Sequence, residues 1–192
     1  MAKIQGFRRL GPLTPLVGTW EGNTGEDVSF RHQHEKIIST SYFERFSFAP
    51  IPVQNNGDQV LEGLKYTNQA WRHGEETMDP FHDEVGYLLW DEVRGQVLRA
   101  VCFGRGISIL AGGDAEAYST VLPFRSEVGD PNYGILQNKY LSERAQLVRF
   151  ESIFTFDDED TFHYDQTLVL KMTEFNGATM DHVDTNTLHR VG

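Results

Sequence analysis

Histidines, a single cysteine and a surplus of carboxylates are the side chains of this 192-residue chain that could do acid–base, metal or nucleophilic chemistry. His182 and Asp184 stand two apart near the C-terminus. On a regular strand they would point the same way, with Met180 and Asn186, while Asp181, Val183 and Thr185 point the other way. Neither set is wholly apolar, so alternation leaves open which one faces a core. A neutral imidazole ligates metal well, and an acceptor beside it fixes the tautomer. The same residues would equally serve as a metal-free polar network in a cavity wall. His32 and His34 are also two apart, but no third ligand has matching spacing, so an exposed polar face is the reading. His82 and Glu84 share a face with Asp83 opposite, which reads as hydrogen bonding at a turn exit. His73, His163 and His189 stand alone.

Other chemistries lack their motifs. There is no G-x-S-x-G, and Cys102 sits between Val101 and Phe103, where burial is expected to keep the thiol inert. Gly104-Arg105-Gly106 and Gly112-Gly113 have no Gly-Lys-Ser/Thr after them and read as turns or bulges rather than phosphate loops. Asp157-Asp158-Glu159-Asp160 reads as a solvated hairpin loop, short of a calcium ligand set.

Composition narrows the partners. Lys and Arg total 17 against 28 Asp and Glu, a formal net charge of −11. Such a chain repels phosphate backbones and anionic lipid unless a basic patch overrides the total, and the densest candidate is Arg8-Arg9. No nucleic-acid or membrane partner is expected; a small-molecule ligand is. One cysteine excludes an intrachain disulfide and suits a reducing compartment. The N-terminus lacks the apolar core of a signal peptide, and no apolar run approaches the ~18 residues of a membrane span, so a cytoplasmic location is expected.

The elements that must position these residues read as strands. Alternating or β-branched and aromatic runs span 37–48, 60–71, 85–90, 97–103, 107–110, 118–124, 146–156, 162–172 and 179–191, after a first strand near Gly18. Asn55–Asp58, Met78–Pro80, Gly112–Asp114, Gly129–Pro131 and Asn176-Gly177 are read as the intervening turns, with a hairpin loop at Val93–Gly95. Phe162, Tyr164, Leu168 and Leu170 share one face. Helix is expected at Pro12–Val17, as one turn capping a barrel end, and at Ile135–Arg144. The pattern predicts an all-β, up-and-down antiparallel barrel of ten strands with an internal pocket, since closure removes the edges and ten strands are wider than a filled core needs. The domain expected is a barrel over 12–192 behind an N-terminal tail, 1–11.

Gly18-Thr19-Trp20-Glu21-Gly22 resembles the start of lipocalin-like and fatty-acid-binding barrels. By that resemblance Gly18 bends the chain into the first strand, Trp20 plugs the closed end, and Arg190 packs on Trp20 from the last strand. Together with Phe81–Asp91, Arg105–Leu110 and Asp181–Val191, the segment is similar to the nitrobindins. This is a haem-binding β-barrel family that includes the C-terminal domain of a THAP protein. The similarity runs from Leu13 to Val191 with gaps, and the order and spacing of short motifs carry it. It implies ferric haem b held by an axial histidine, with peroxynitrite isomerised to nitrate. His182 matches the axial position, so the metal would be reached through haem iron, and Asp184 would accept the second ring N–H. Three departures point to a remodelled pocket. The third glycine of the motif comes one residue late, at Gly25. The family's Tyr-Pro-Thr segment, whose Thr lies at the haem, is replaced by Glu26-Asp27-Val28-Ser29. The stretch from His182 to the basic end is one residue longer. The alternative is a non-catalytic carrier of an apolar small molecule, with His182 as a polar anchor.

Overall fold

The structure, a computed structural model, describes residues 10–192. Twelve strands follow in chain order: β1 Gly18–Arg31, β2 Lys36–Pro50, β3 Gln54–Asn55, β4 Val60–Arg72, β5 His82–Asp91, β6 Gln96–Phe103, β7 Ile107–Asp114, β8 Val121–Glu127, β9 Ile135–Gln137, β10 Ala145–Phe156, β11 Thr161–Met172 and β12 Thr179–Arg190. All pairings are antiparallel. Ten strands close the barrel: β1 pairs with β12, and β2 reaches across to β4, so no long edge is left open. β3 only clips the start of β4. β7 and β8 meet at a single pair, Gly112 with Arg125, and β9 fills the gap by pairing with β7. Among the described residues no helix is long and apolar enough to cross a membrane.

Alternation builds the interior. β2 sends Tyr42, Glu44, Phe46 and Phe48 inward, and β11 sends Phe162, Tyr164 and Gln166 inward. The closed half of the barrel is packed with rings: Phe46, Phe48, Phe154 and Phe162 pack against one another, and Trp20 meets Phe162 edge-on with centroids 5.0 Å apart. A 3-10 turn, Gly11–Leu16, plugs that end with Leu13 and Leu16 fully buried. Arg190 lies across the plug, its guanidinium carbon 4.2 Å from the Trp20 ring centroid. It donates to the carbonyls of Pro15, Val17 and Glu159 and to Asp160 Oδ1, so one side chain ties the last strand to the plug and to the β10–β11 loop. Trp20 Nε1 donates to the Leu16 carbonyl at 2.8 Å. Gly18 opens β1 at φ +128°, and a Cβ there would run into the Gly192 carbonyl.

Several expectations are corrected. Gly112 and Gly113 are not a turn but lie inside β7, because the Tyr133 ring and the Pro123 carbonyl approach too closely for any Cβ. The helix expected over 135–144 is only Lys139–Arg144 (α1), since the backbone of 135–137 is used by β7 and Asn138 caps the helix after it. β8 starts at Val121, later than 118, because Ser119 closes a turn on Glu116. Cys102 is exposed: Val101 takes the inward position on β6, so the thiol faces out beside the Ser108 hydroxyl at 3.3 Å. The interior is not uniformly hollow, because the rings fill one half and leave the cavity to the other. Of the tail expected over 1–11, residues 1–9, with Arg8 and Arg9, lie outside the described residues; Leu10 is buried and Gly11 begins the plug.

Candidate functional site

The cavity occupies about 330 Å³ at the end of the barrel opposite the plug. Its mouth is formed by Pro80-Phe81, by the Gly104-Arg105 turn and by Leu141 of α1. Phe81, Phe103, Ile107, Leu141, Leu168 and Leu170 supply an apolar wall. Facing it are polar and ionisable groups from β2, β4, β5, β6, β11 and β12. A larger groove of about 620 Å³ runs outside the barrel along Val85, Tyr87, Cys102 and Leu110, but it is open and carries no cluster of titratable groups.

At the floor of the cavity sits a buried ion pair. Arg99, 1% exposed, donates to Glu84 Oε1 at 2.7 Å. It also donates to the Tyr66 hydroxyl, Ser152 Oγ and Gln166 Oε1 at 2.9, 3.0 and 3.2 Å. The guanidinium is flanked by the rings of Tyr66, Phe150 and Phe154. Burial alone would raise the Glu84 pKa, but the Arg99 charge and the His82 imidazole, 3.2 Å from Oε2, hold it at about 2. His82 thus stands towards the barrel mouth and reaches in to Glu84, with Asp83 on the outer face.

Beside this pair lies a carboxyl with no cation in hydrogen-bond reach. Glu44 accepts from Asn68 Nδ2 at 2.7 Å and Asn186 Nδ2 at 3.0 Å, and the Tyr164 hydroxyl is 3.0 Å from both of its oxygens. Tyr42 extends the chain, its hydroxyl 2.7 Å from that of Tyr164. Burial raises the Glu44 pKa to about 7, hydrogen bonds and the His82 charge offsetting only part of it. The sign for folding follows directly. A carboxyl whose pKa rises from 4.5 unfolded to about 7 folded binds extra protons when folded, so its stability is present below 4.5 and lost between 4.5 and about 7. The loss should be on the order of 3 kcal/mol. Glu84 acts oppositely, its contribution disappearing only as pH falls from 4.5 towards 2. Thermal unfolding is therefore expected at its highest midpoint near pH 5 and at a lower one at pH 8, with Glu44→Gln removing the Glu44 share of that difference and the raised pKa of His182 accounting for a further fall above pH 6.5. A Glu44→Gln variant that keeps the full difference would mean that Glu44 is ionised throughout.

The third cluster holds the residues singled out near the C-terminus. β12 turns Met180, His182, Asp184 and Asn186 inward, and His182 and Asp184 line the cavity. His182 Nε2 lies 3.0 Å from Asp27 Oδ1 and 3.4 Å from Asp184 Oδ1. Burial alone would lower the His182 pKa, but Asp184 and Asp27 raise it to about 10, so the ring is an imidazolium at neutral pH. Asp27 is held low, the close approach and charge of His182 outweighing the upward pull of burial. Asp184 stands where it can orient His182, but at the same nitrogen as Asp27 rather than at the other ring nitrogen.

Asp27 was missed by the sequence reading for a local reason. β1 carries one extra residue between Gly22 and Gly25, against both β2 and β12. This bulge shifts the inward set from Trp20 and Gly22 to Gly25, Asp27 and Ser29. The signal was the displaced third glycine. Arg99 was also missed; the signal was that it shares the alternation of Val97 and Val101. His32 and His34 lie in the β1–β2 turn, and among the described residues neither belongs to a cluster of three metal-ligating side chains; His32 faces Glu174 at 3.4 Å. The Asp157–Asp160 run is an exposed hairpin loop whose Asp160 holds Arg190.

A closed ten-stranded antiparallel barrel with one end plugged and one cavity lined by polar groups is a small-molecule-binding barrel of the calycin kind. The chain belongs to the THAP4-like, heme-binding β-barrel domain family, whose model matches residues 9–190. Among solved structures it is similar to Rv2717c from M. tuberculosis, at 21% identity and a TM-score of 0.63, over 94% of this chain and 95% of that one. That likeness shows the fold. The S-type phycobiliprotein lyase CPES from Guillardia theta aligns over 100% of this chain and 94% of its own at 10% identity, with a TM-score of 0.43. No curated protein matches the chain in sequence.

The family implies haem, and the residues present can be held against it. Axial ligation needs a free lone pair on an imidazole nitrogen. The Nε2 of His182 faces two carboxylates and carries a proton at neutral pH. As arranged, these residues do not fit haem ligation through that atom.

Proposed function

We propose that this barrel binds one amphipathic small molecule in its cavity, apolar body against Phe81, Phe103, Ile107 and Leu170, polar head towards Glu44, Asp27 and Asp184. The observation that carries the reading is the two-sided cavity lining itself. Four carboxyl groups (Asp27, Glu44, Glu84 and Asp184) lie in or around the cavity, and the Arg99 charge is already matched by Glu84. A neutral or cationic head suits this wall better than the carboxylate of a fatty acid. Calorimetric titration of chelator-treated protein with decanol, decylamine and decanoate tests it. Decanol or decylamine should bind at one per chain, with decanoate at least about tenfold weaker, a gap of about 1.4 kcal/mol. Preferential binding of decanoate would reverse the assignment of the wall.

Haem is the second reading, supported by the family match and by the position of His182 in the cavity wall. Its obstacle is the proton on Nε2, and the obstacle can be removed. With a pKa of about 10, the neutral fraction of His182 at pH 7 is about 10⁻³, which lowers apparent affinity in proportion. Asp27→Asn with Asp184→Asn should therefore strengthen haem binding at least about tenfold, read from the Soret band, and His182→Ala in that background should abolish the gain. Tight binding by the wild type, unchanged in the double variant, would show that Nε2 is free after all. Peroxynitrite isomerisation would need the bound haem and follows it as a question.

A further inference from the structure

Asp27, His182 and Asp184 form a donor set that the amphipathic-ligand reading does not require. One donor atom from each lies within 4.8 Å of the others. The separations of 3.0 and 3.4 Å from Nε2 match neighbouring ligands around a single ion. Bonds of roughly 2.0–2.2 Å at octahedral or tetrahedral angles place adjacent donors about 3.0–3.5 Å apart.

A second observation, independent of the clustering, points the same way. Asp27 has a side chain only 5% exposed, and its Oδ1 accepts no hydrogen bond although Nε2 is 3.0 Å away. The two atoms are close without the alignment that an N–H donor would impose. A buried carboxylate oxygen in this position has a charged neighbour but no aligned hydrogen-bond donor, which buried polar atoms ordinarily have. It is aimed at the space between the three side chains.

The neighbours hold the donors in this pose. Arg31 Nη2 lies 3.2 Å from Asp27 Oδ2 and donates to Thr40 Oγ1 at 2.8 Å. Gln166 Nε2 donates to Asp184 Oδ2 at 3.4 Å. Each carboxylate thus has one oxygen tethered by a neighbour and the other turned towards His182. Partners of this kind orient metal ligands.

We propose that Asp27, His182 and Asp184 bind a first-row divalent cation of the zinc class, with its remaining coordination positions open to the cavity. One imidazole and two carboxylates, without thiolate, suit zinc, cobalt or manganese, and three protein ligands with an open position are the pattern of sites that also hold water or substrate. Binding has to displace the Nε2 proton, and the two carboxylates that would ligate the dication together with the imidazole then balance its charge, which ligation through the imidazole alone would not do. The ion would be held by the protein itself, with no porphyrin, and its binding does not depend on the amphipathic-ligand reading.

The test is a titration of the full chain, freed of metal by chelator, with cobalt(II) as the probe and visible d–d absorption as the signal. The expected result is a saturable band at one cobalt per chain, displaced by zinc. His182→Ala should abolish the band, and Gln166→Leu should weaken cobalt binding by about tenfold or more through the loss of its tether. Zinc should raise the unfolding midpoint of the wild type and leave that of His182→Ala unmoved. If His182→Ala fails to fold, Asp27→Asn with Asp184→Asn replaces it, with the same loss expected. No saturable band, or a band that survives these variants, overturns the proposal. Decanol or decylamine binding by metal-free protein would still stand in that event, so the two readings fail separately.

Discussion

Arg99→Met is expected to destabilise the barrel by about 3–5 kcal/mol, because it leaves Glu84 buried and without its main countercharge. Glu84 is 2% exposed and Arg99 1%, so water cannot take over the lost bonds. Arg99 also satisfies Tyr66, Ser152 and Gln166, three groups that would lose their donor together. The pair itself need not be stabilising relative to an apolar pair of the same size. Arg99→Met with Glu84→Leu is therefore expected to recover most of the single-variant loss. Denaturant unfolding of wild type, both single variants and the double variant measures the cycle. A double variant no more stable than Arg99→Met would mean that the cost lies in the Tyr66, Ser152 and Gln166 bonds and not in the stranded charge. His82, which also faces Glu84, should ionise more weakly in Glu84→Leu, and its titration by NMR reports the same coupling.

Trp20→Ala should cost about 3–5 kcal/mol for a different reason, the void left by a fully buried indole. Trp20 touches the plug through the Leu16 carbonyl, the aromatic core through Phe162, and the last strand through Arg190. Its removal takes the platform from under Arg190 and loosens the closure of β1 on β12 at Trp20 and Arg190. The cavity lies at the other end of the barrel, so ligand binding by the molecules that remain folded should be nearly unchanged. Urea unfolding combined with decanol titration checks both halves. Wild-type stability in Trp20→Ala would show that the plug end does not depend on the indole, and a parallel loss of binding would show that the two ends are coupled.

How much of this was legible beforehand depends on parity. Where a strand is regular, the sequence reads true: Phe162, Tyr164, Leu168 and Leu170 share a face, and Met180, His182, Asp184 and Asn186 share another. The pairing of Trp20 with Arg190 was also legible, because closure must bring the first strand beside the last. Charged residues on an inward face were harder to see. Arg99 and Glu84 each sit in line with apolar neighbours, but charge alone makes such positions read as exposed. Cys102 misled in the opposite way, its apolar neighbours suggesting burial while alternation placed it outside.

The sequence by itself determined the class of the protein: an acidic all-β chain whose alternating runs, turns and opening Gly18–Gly22 segment specify a closed barrel, with Met180, His182, Asp184 and Asn186 grouped on one side of β12. Those features are local, being set by side-chain period and turn chemistry. Only the tertiary structure decided what His182 meets. One extra residue between Gly22 and Gly25 turns Asp27 inward, and the β1–β12 pairing then sets it opposite Asp184, next to the imidazole. No local rule relates residues 27 and 182, because their proximity exists only once the first and last strands have closed the barrel, and the charge and ligating capacity of His182 are properties of that closure.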